Sequence, residues 1–255
     1  MVRGLYIAAT GMNVQSKKMD IVSNDLANVN TTGYKKDTAV IAAFPEILTS
    51  KIDKMSGDSQ VATPIGTMNF GARVDEVYTQ FSQGSLIKTE GIVDVAIQGT
   101  GFLTIQTPEG LSYTRDGQFS INPNGDLVTK EGYAVMGQDG PINLGEDFLA
   151  DGAEVSVEAN GDILLGEEWM DQLALVDFED TRTLLKAGDN LYTATADPIA
   201  FEGSVIQGFI EGSNVNPVTA MVDMITVSRA YEANQKMIQT QDTLLGKAVN
   251  DIARV

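Results

Sequence analysis

Apolar residues near the N-terminus recur at alternating intervals of four and three positions, with Gln15 as the single polar interruption. This spacing is typical of a heptad stripe on one face of an amphipathic helix. The stripe runs into a segment rich in asparagine, threonine and glycine (28–33), so we predict a helix over 4–28. The members of the stripe are Leu5, Ala8, Met12, Met19, Val22, Leu26 and Val29.

The C-terminal region repeats this pattern over a longer segment, interrupted by Asn234 and Gln241. Its start is marked by Asn216 and Pro217, because asparagine is a good N-cap and proline suits the first helical position. We predict a helix over 217–252, which at 1.5 Å per residue is more than about 50 Å long. The members of its stripe are Ala220, Met224, Val227, Tyr231, Ile238, Leu245, Ala248 and Ile252.

The middle of the chain has a different pattern, in which short apolar runs alternate with turn signals. Of the 25 glycines, 18 lie between Gly84 and Gly212, and this density favours β-structure. Two similar segments, centred on Asn124-Gly125 and Asn160-Gly161, predict hairpins with type I′ turns. Residues 35–80 lack a clear period and predict an irregular linker, most loop-like at 56–59.

Together these patterns predict an α+β fold. Its parts are paired, coiled-coil-like N- and C-terminal helices and a mainly antiparallel β middle domain. The predicted divisions are an N-terminal helix (1–34), the linker region (35–80), a β-rich domain (81–212) and a C-terminal helix (213–255).

Composition narrows the function. The 255 residues include no cysteine and no histidine, which removes disulfides, thiolate nucleophiles, and the commonest general base and metal ligand. The net charge of −18 argues against a nucleic-acid partner. Its distribution is uneven, with +3 on 1–36, −21 on 37–213 and zero on 214–255. No apolar run is long enough for a membrane span or a cleavable signal, so composition alone indicates the cytoplasm.

Four segments that suggest chemistry have simpler explanations. Residues 98–102 have two glycines of a dinucleotide fingerprint but lack the third, and a β-turn accounts for them. The acidic turns at 122–126 and 160–162 lack the ligand spacing of a calcium loop. Arg115 and Asp116 are predicted to form a surface salt bridge. We therefore expect no catalytic residue, no cofactor and no metal, and a protein that is not an enzyme.

A single apolar stripe usually packs on the core of its own domain. Here both ends of the chain carry one, and five of the ten methionines lie in these helices, where a flexible thioether adapts to different neighbours. We therefore predict that the stripes form an assembly seam between copies of the chain.

Several segments resemble signatures of the bacterial flagellar axial proteins, the rod and hook subunits, in the same order along the chain. One departure is Asp25, where that family usually has asparagine. The segments are 5–12 and 23–35 near the N-terminus, 94–99 and 113–117 in the middle, and 211–217 and 224–234 near the C-terminus.

The resemblance implies a structural subunit of the basal-body rod that assembles into a helical tube and transmits torque. It also implies that the terminal helices (1–34 and 213–255) form the inner domain of the tube and that the β-rich region (81–212) is the outer domain. The length favours the distal rod protein or its close paralogue. It further implies export through the flagellar export apparatus without a cleaved signal, and contacts with copies of itself and other rod and hook subunits, with no membrane insertion. The alternative is a soluble β-domain ligand-binding module with helical dimerisation ends, which predicts a stable dimer and a ligand pocket.

Overall fold

A computed structural model of the protein describes residues 2–54, 60–145, 155–188 and 190–252. The chain divides into two compact units, and each is described by itself. The helical unit consists of Met1–Leu26, Asp37–Tyr78 and Pro217–Val255. The β unit consists of Ala27–Lys36 and Thr79–Asn216.

Two long helices dominate the helical unit. Helix α1 spans Val2–Ala27 and helix α2 spans Pro217–Ile252. Proline at the first position of α2 suits a helix start, because its fixed φ is helical and its missing N–H would have no partner there. The predicted terminal helices and the mainly antiparallel β middle are confirmed, so the fold is α+β.

The segment predicted as an irregular linker differs from that prediction, since it contains four strands. They are β1 (Asp37–Ala43), β2 (Ile47–Lys54), β3 (Gln60–Met68) and β4 (Ala72–Thr79). Strands β2 and β3 form an antiparallel hairpin that begins at the pair Ile47 and Met68, and β1 pairs with β4. These strands expose many apolar side chains. The alternation of apolar and polar residues that indicates a strand in a sequence is therefore weak in this segment. Residues 56–59, predicted as the most loop-like part, lie outside the described residues.

The β unit contains sixteen described strands in four sheets, all formed by antiparallel pairs. The largest sheet has nine strands in the order β16-β17-β8-β7-β11-β10-β9, with β15 joining β7 to β18. The others are β12-β13-β14, β6-β19 and β5-β20. The strands are β5 (Leu86–Lys88), β6 (Val95–Gln98), β7 (Phe102–Thr107), β8 (Gly110–Thr114), β9 (Ser120–Ile121), β10 (Leu127–Val128), β11 (Ala134–Val135), β12 (Val155–Val157), β13 (Asp162–Leu165), β14 (Glu168–Gln172), β15 (Leu175–Asp177), β16 (Leu184–Gly188), β17 (Leu191–Ala194), β18 (Ile199–Ala200), β19 (Ser204–Gln207) and β20 (Phe209–Glu211).

Both predicted Asn-Gly hairpins are present, connecting β9 to β10 and β12 to β13. The turn type differs from the prediction. Gly125 and Gly161 have positive φ (85° and 88°), but the asparagines before them do not, and the amide of Gly125 donates to the carbonyl of Asn122 at 3.0 Å. This is a type I turn followed by a glycine bulge, in which only the glycine needs the left-handed conformation.

The β unit has the main hydrophobic core. One cluster of buried side chains is drawn from strands of three sheets and includes Ile97, Leu103 and Ile163. A smaller cluster stacks the rings of Phe102, Phe178 and Tyr192 with edge-to-face geometry, which is the favoured arrangement of aromatic pairs. Burial of this size makes the β unit a domain with its own core.

Candidate assembly interface

The predicted seam residues lie on the less exposed faces of the two helices. Ala8, Ala220 and Val227 are buried, and Tyr231 is at the limit of exposure at 36%. Val29 lies beyond the end of α1, in a turn of the β unit, so it is not part of the helical stripe. The Ile252 side chain lies outside the described ones. The half-buried members are Leu5, Met12, Met19, Val22, Leu26, Met224, Ile238, Leu245 and Ala248.

The helices approach each other at the polar interruptions of the α2 stripe. A Cβ added to Gly4 would lie 3.4 Å from Gln241 Nε2, and one added to Gly11 would lie 3.2 Å from Asn234 Nδ2. From the first of these contacts to the second, the residue number rises from 4 to 11 in α1 and falls from 241 to 234 in α2. The two helices therefore run antiparallel. Each glycine makes room for the longer amide side chain opposite it.

Many apolar side chains of the helical unit face solvent. Among the described side chains, 22 large apolar residues are exposed, and 16 of them belong to this unit. By contrast, only 4 of the 25 buried apolar residues belong to it. Exposed apolar surface on this scale marks an interaction site.

One exposed group was missed by the sequence analysis. Val218, Met221, Val222 and Ile225 are each more than half exposed and lie in the first turns of α2. At 100° per residue they occupy a face roughly 150° from the predicted stripe. Their spacing of three and four residues is a helical signal in its own right. We call these four residues the α2 patch.

The helical unit also contains an apolar pocket with a volume of about 490 Å³. The Tyr6 ring lies 6.5 Å from that of Phe44 and 6.4 Å from that of Phe70, and the Arg3 guanidinium is 6.0 Å from the Phe70 ring. Pro45 and Ile47 complete the wall. We call these six residues the aromatic pocket.

In the β unit, three ionised side chains are buried together. Lys35, Arg115 and Glu211 are 0%, 3% and 1% exposed. Lys35 Nζ donates to Glu211 Oε1 and, at 2.9 Å, to the carbonyl of Ser82. Arg115 Nη1 lies 3.4 Å from Glu211 Oε2, and the Gly84 amide donates to Oε1 at 2.7 Å. One carboxylate thus joins two cations, and we call these three side chains the buried ion cluster.

Arg115 therefore does not form the predicted surface pair with Asp116. Asp116 faces Lys130 instead, at 3.4 Å, and burial raises the pKa of its carboxyl above the ordinary value. Burial also lowers the pKa of the Lys35 ammonium, because its desolvation outweighs the opposing charge and hydrogen bond of Glu211. The cluster has no local signal in the sequence, because its members are 96 or more positions from Glu211 in the chain.

Gly33 fixes the backbone that leads into Lys35. Its φ is +68°, and a Cβ there would lie 2.5 Å from the Asp116 backbone nitrogen. The Gly33 amide donates to the carbonyl of Glu211 at 2.8 Å. A side chain at this position would therefore push residues 27–36 away from the rest of the β unit.

In the described part of the chain, no helix is long and apolar enough to cross a membrane. The same residues contain no group of three or more acidic side chains arranged to hold a metal ion.

Three family models match the chain. Residues 5–35 match the flagella basal body rod protein model, and residues 96–165 match the D1 domain of the flagellar hook protein FlgE/F/G. Residues 206–251 match the C-terminal model of the flagellar basal body rod FlgEFG protein. Each matched segment contributes one member of the buried ion cluster.

Relatives match over nearly the whole length. The flagellar basal-body rod protein FlgG of Buchnera aphidicola is 37% identical, over 97% of this chain and 98% of its own. The chain belongs to the flagellar basal-body rod protein family. Other rod proteins agree, with FlgG of Borreliella burgdorferi 35% identical over 98% of both chains and FlgF of Caulobacter vibrioides 32% identical over the full length of both.

Membership of the rod family makes the chain a structural component of the flagellar basal body that assembles with axial subunits. The family is one of structural proteins, which fits a non-enzymatic role. The alternative of a ligand-binding module has no support from the matched relatives.

Proposed function

We propose that the chain is a distal-type rod subunit that polymerises into a helical tube and transmits torque through it. The observation that carries this proposal is the exposed apolar surface of the helical unit, which 16 of the 22 exposed large apolar side chains form. A unit that leaves so much apolar surface in water gains free energy when copies cover it.

The distribution of charge supports the same contact surface. The helical unit has ten bases and twelve acids, so its net charge is −2. The β unit has seven bases and 23 acids, a net charge of −16. Close packing of like charges is unfavourable, so copies would meet through the nearly neutral helical unit while the acidic surface stays in solvent.

We infer that α1 and α2 pair as an antiparallel coiled coil in the tube, with the seam residues at its core. The two glycine contacts, with Gln241 and Asn234, support this pairing because they repeat after seven residues on both helices. Half-buried seam residues such as Met19 and Ile238 leave apolar area that neighbouring copies would cover.

Export by the flagellar apparatus, without a cleaved signal, belongs to the same proposal and rests on the family alone. The distal assignment rests on the length of the chain, and the close paralogue is the alternative, because FlgG and FlgF of Caulobacter vibrioides are both 32% identical to the chain.

The test is polymerisation of purified protein, followed by sedimentation and electron microscopy. In Ile238→Asp, a charge replaces a half-buried apolar side chain of the seam. We expect this variant to remain monomeric under conditions in which the wild type polymerises, because an unpaired charge in an apolar contact is costly. Fluorescence of Trp169, the single tryptophan, reports that the β unit is still folded.

The matched control is Gln239→Asp, which adds the same charge at the next position, where the side chain is exposed. This variant should polymerise normally. If Ile238→Asp polymerises as well as the wild type, the prediction that the seam residues form the contact between copies is wrong. A stable wild-type dimer that never extends into polymers would favour the ligand-binding alternative.

A further inference from the structure

We propose that the α2 patch of one copy inserts into the aromatic pocket of a second copy, so that subunits join head to tail. This inference rests on the proposed function, since it names a contact within the polymer. The patch consists of Val218, Met221, Val222 and Ile225, and the pocket is the cavity bounded by Tyr6, Phe44 and Phe70.

The two surfaces match in chemistry. The patch presents branched and thioether side chains that are 52–68% exposed, and the pocket wall is aromatic and aliphatic. When aliphatic side chains enter an aromatic pocket, apolar area on both sides of the contact is removed from water, which favours association. Methionine is also a favourable neighbour for aromatic rings.

The patch of one copy cannot fill the pocket of the same copy. Gly4 faces Gln241, so the pocket residues Arg3 and Tyr6 lie beside the C-terminal part of α2. Val222 is 19 residues before Gln241, which is roughly 28 Å along the helix at 1.5 Å per residue. The patch and the pocket are therefore at opposite ends of the helical pair, and a second copy is the occupant that brings them together.

The charges allow this occupant. The helical unit has a net charge of only −2, so the helical units of two copies can approach each other without strong repulsion. Of the six pocket residues, Arg3 is charged, and the face of α2 beyond the patch carries charges of both signs, at Arg229, Glu232 and Lys236.

A contact between two different surfaces is heterologous, and it propagates when its rotation does not close. Each copy offers one patch and one pocket, so every added subunit leaves one of each free at the ends. One small apolar contact is too weak to hold a dimer, but it adds to the seam contacts in a polymer because those contacts act together.

The test uses cysteine pairs, because the natural chain has no cysteine and an introduced pair is the only one that can react. Ile47→Cys stands in the pocket wall and Val222→Cys stands in the patch, and both positions are more than half exposed. After polymerisation and treatment with a short thiol-specific crosslinker, we expect a ladder of covalent dimers, trimers and longer products.

The control pair combines Ile47→Cys with Asp223→Cys, one residue further along α2 and about 100° around the helix. We expect at least a severalfold lower crosslinked fraction for this pair. Val222→Asp should reduce polymer yield severalfold, with unchanged Trp169 fluorescence.

Polymers that form normally but give equal crosslinking for both pairs would overturn the patch-to-pocket contact and leave the proposed function intact. Normal polymerisation of Val222→Asp would overturn it as well. Failure of the wild type to polymerise under any condition would contradict the proposed function, and this inference with it.

Discussion

The helical unit and the β unit differ in where they place their apolar side chains. The β unit holds 21 of the 25 buried apolar side chains and most of the net negative charge, whereas the helical unit holds 16 of the 22 exposed large apolar side chains. A domain with a packed core is stable by itself, while a unit with its apolar surface outside is stabilised when copies cover it. If the proposed function is right, folding depends mainly on the β unit and assembly depends mainly on the helical unit.

The largest expected effect on the comparison between the two units is a loss of stability of the β unit when a buried charge is removed. In Glu211→Ala, Lys35 and Arg115 would remain buried without their shared carboxylate. Removing one partner of a buried ionic contact costs about 3–5 kcal/mol. Urea denaturation followed by Trp169 fluorescence should show a loss of this size.

Glu202→Ala serves as the control, because this side chain is exposed. It should change the free energy of unfolding by less than about 0.5 kcal/mol. A Glu211→Ala variant as stable as this control would mean that the buried ion cluster does not hold the β unit together.

A smaller loss is expected from Gly33→Ala. Alanine in a left-handed conformation costs about 1–3 kcal/mol, and its Cβ would also meet the backbone of Asp116. Limited proteolysis should show faster cleavage within residues 27–36. Gly132→Ala, which has positive φ (88°) but open space around it, isolates the conformational cost and should be milder.

The Lys35 ammonium predicts a dependence on pH. Because its pKa in the folded protein is below 10.5, the folded state releases this proton at a lower pH than the unfolded chain does. The contribution of Lys35 to stability is therefore full above pH 10.5 and is lost as the pH falls through the folded pKa. The free energy of unfolding of wild type, relative to Lys35→Met, should rise between neutral pH and pH 10.5. A flat difference would contradict this expectation.

The smallest expected effect is a gain in stability of the helical unit. Gly246 lies in α2 with open space where a Cβ would be. Gly246→Ala should stabilise the helix by about 0.5–1 kcal/mol, because alanine loses less backbone entropy in a helix. Circular dichroism should detect the gain, and Trp169 fluorescence should stay unchanged. A shift of the fluorescence transition would mean that the two units unfold together.

The sequence predicted the features that depend on local patterns. The α2 boundaries follow from Asn216, Pro217 and a long heptad stripe, and both hairpins follow from Asn-Gly. Their turn type was predicted incorrectly, because Asn-Gly also suits a type I turn with a glycine bulge, and the sequence alone does not fix φ of the asparagine.

Features that depend on distant partners were missed. Strand β1 pairs with β4, about thirty residues away, and neither strand has a clear alternation. Lys35 and Glu211 are 176 positions apart, and Arg115 and Glu211 are 96 positions apart. A single sequence suggests that charges pair with near neighbours, so Arg115 was assigned to Asp116. The tertiary fold decides such pairs.

The glycines of α1 also determine how far the two helices can slide past each other. If α2 moved by one heptad, Gln241 would face Gly11, and Asn234 would meet the long side chain of Lys18 instead of a glycine. Gln241 and Asn234 therefore both face a glycine at only one relative position of the two helices. The antiparallel register is thus encoded in two small residues, and every copy would enter the rod with its helices aligned in the same way.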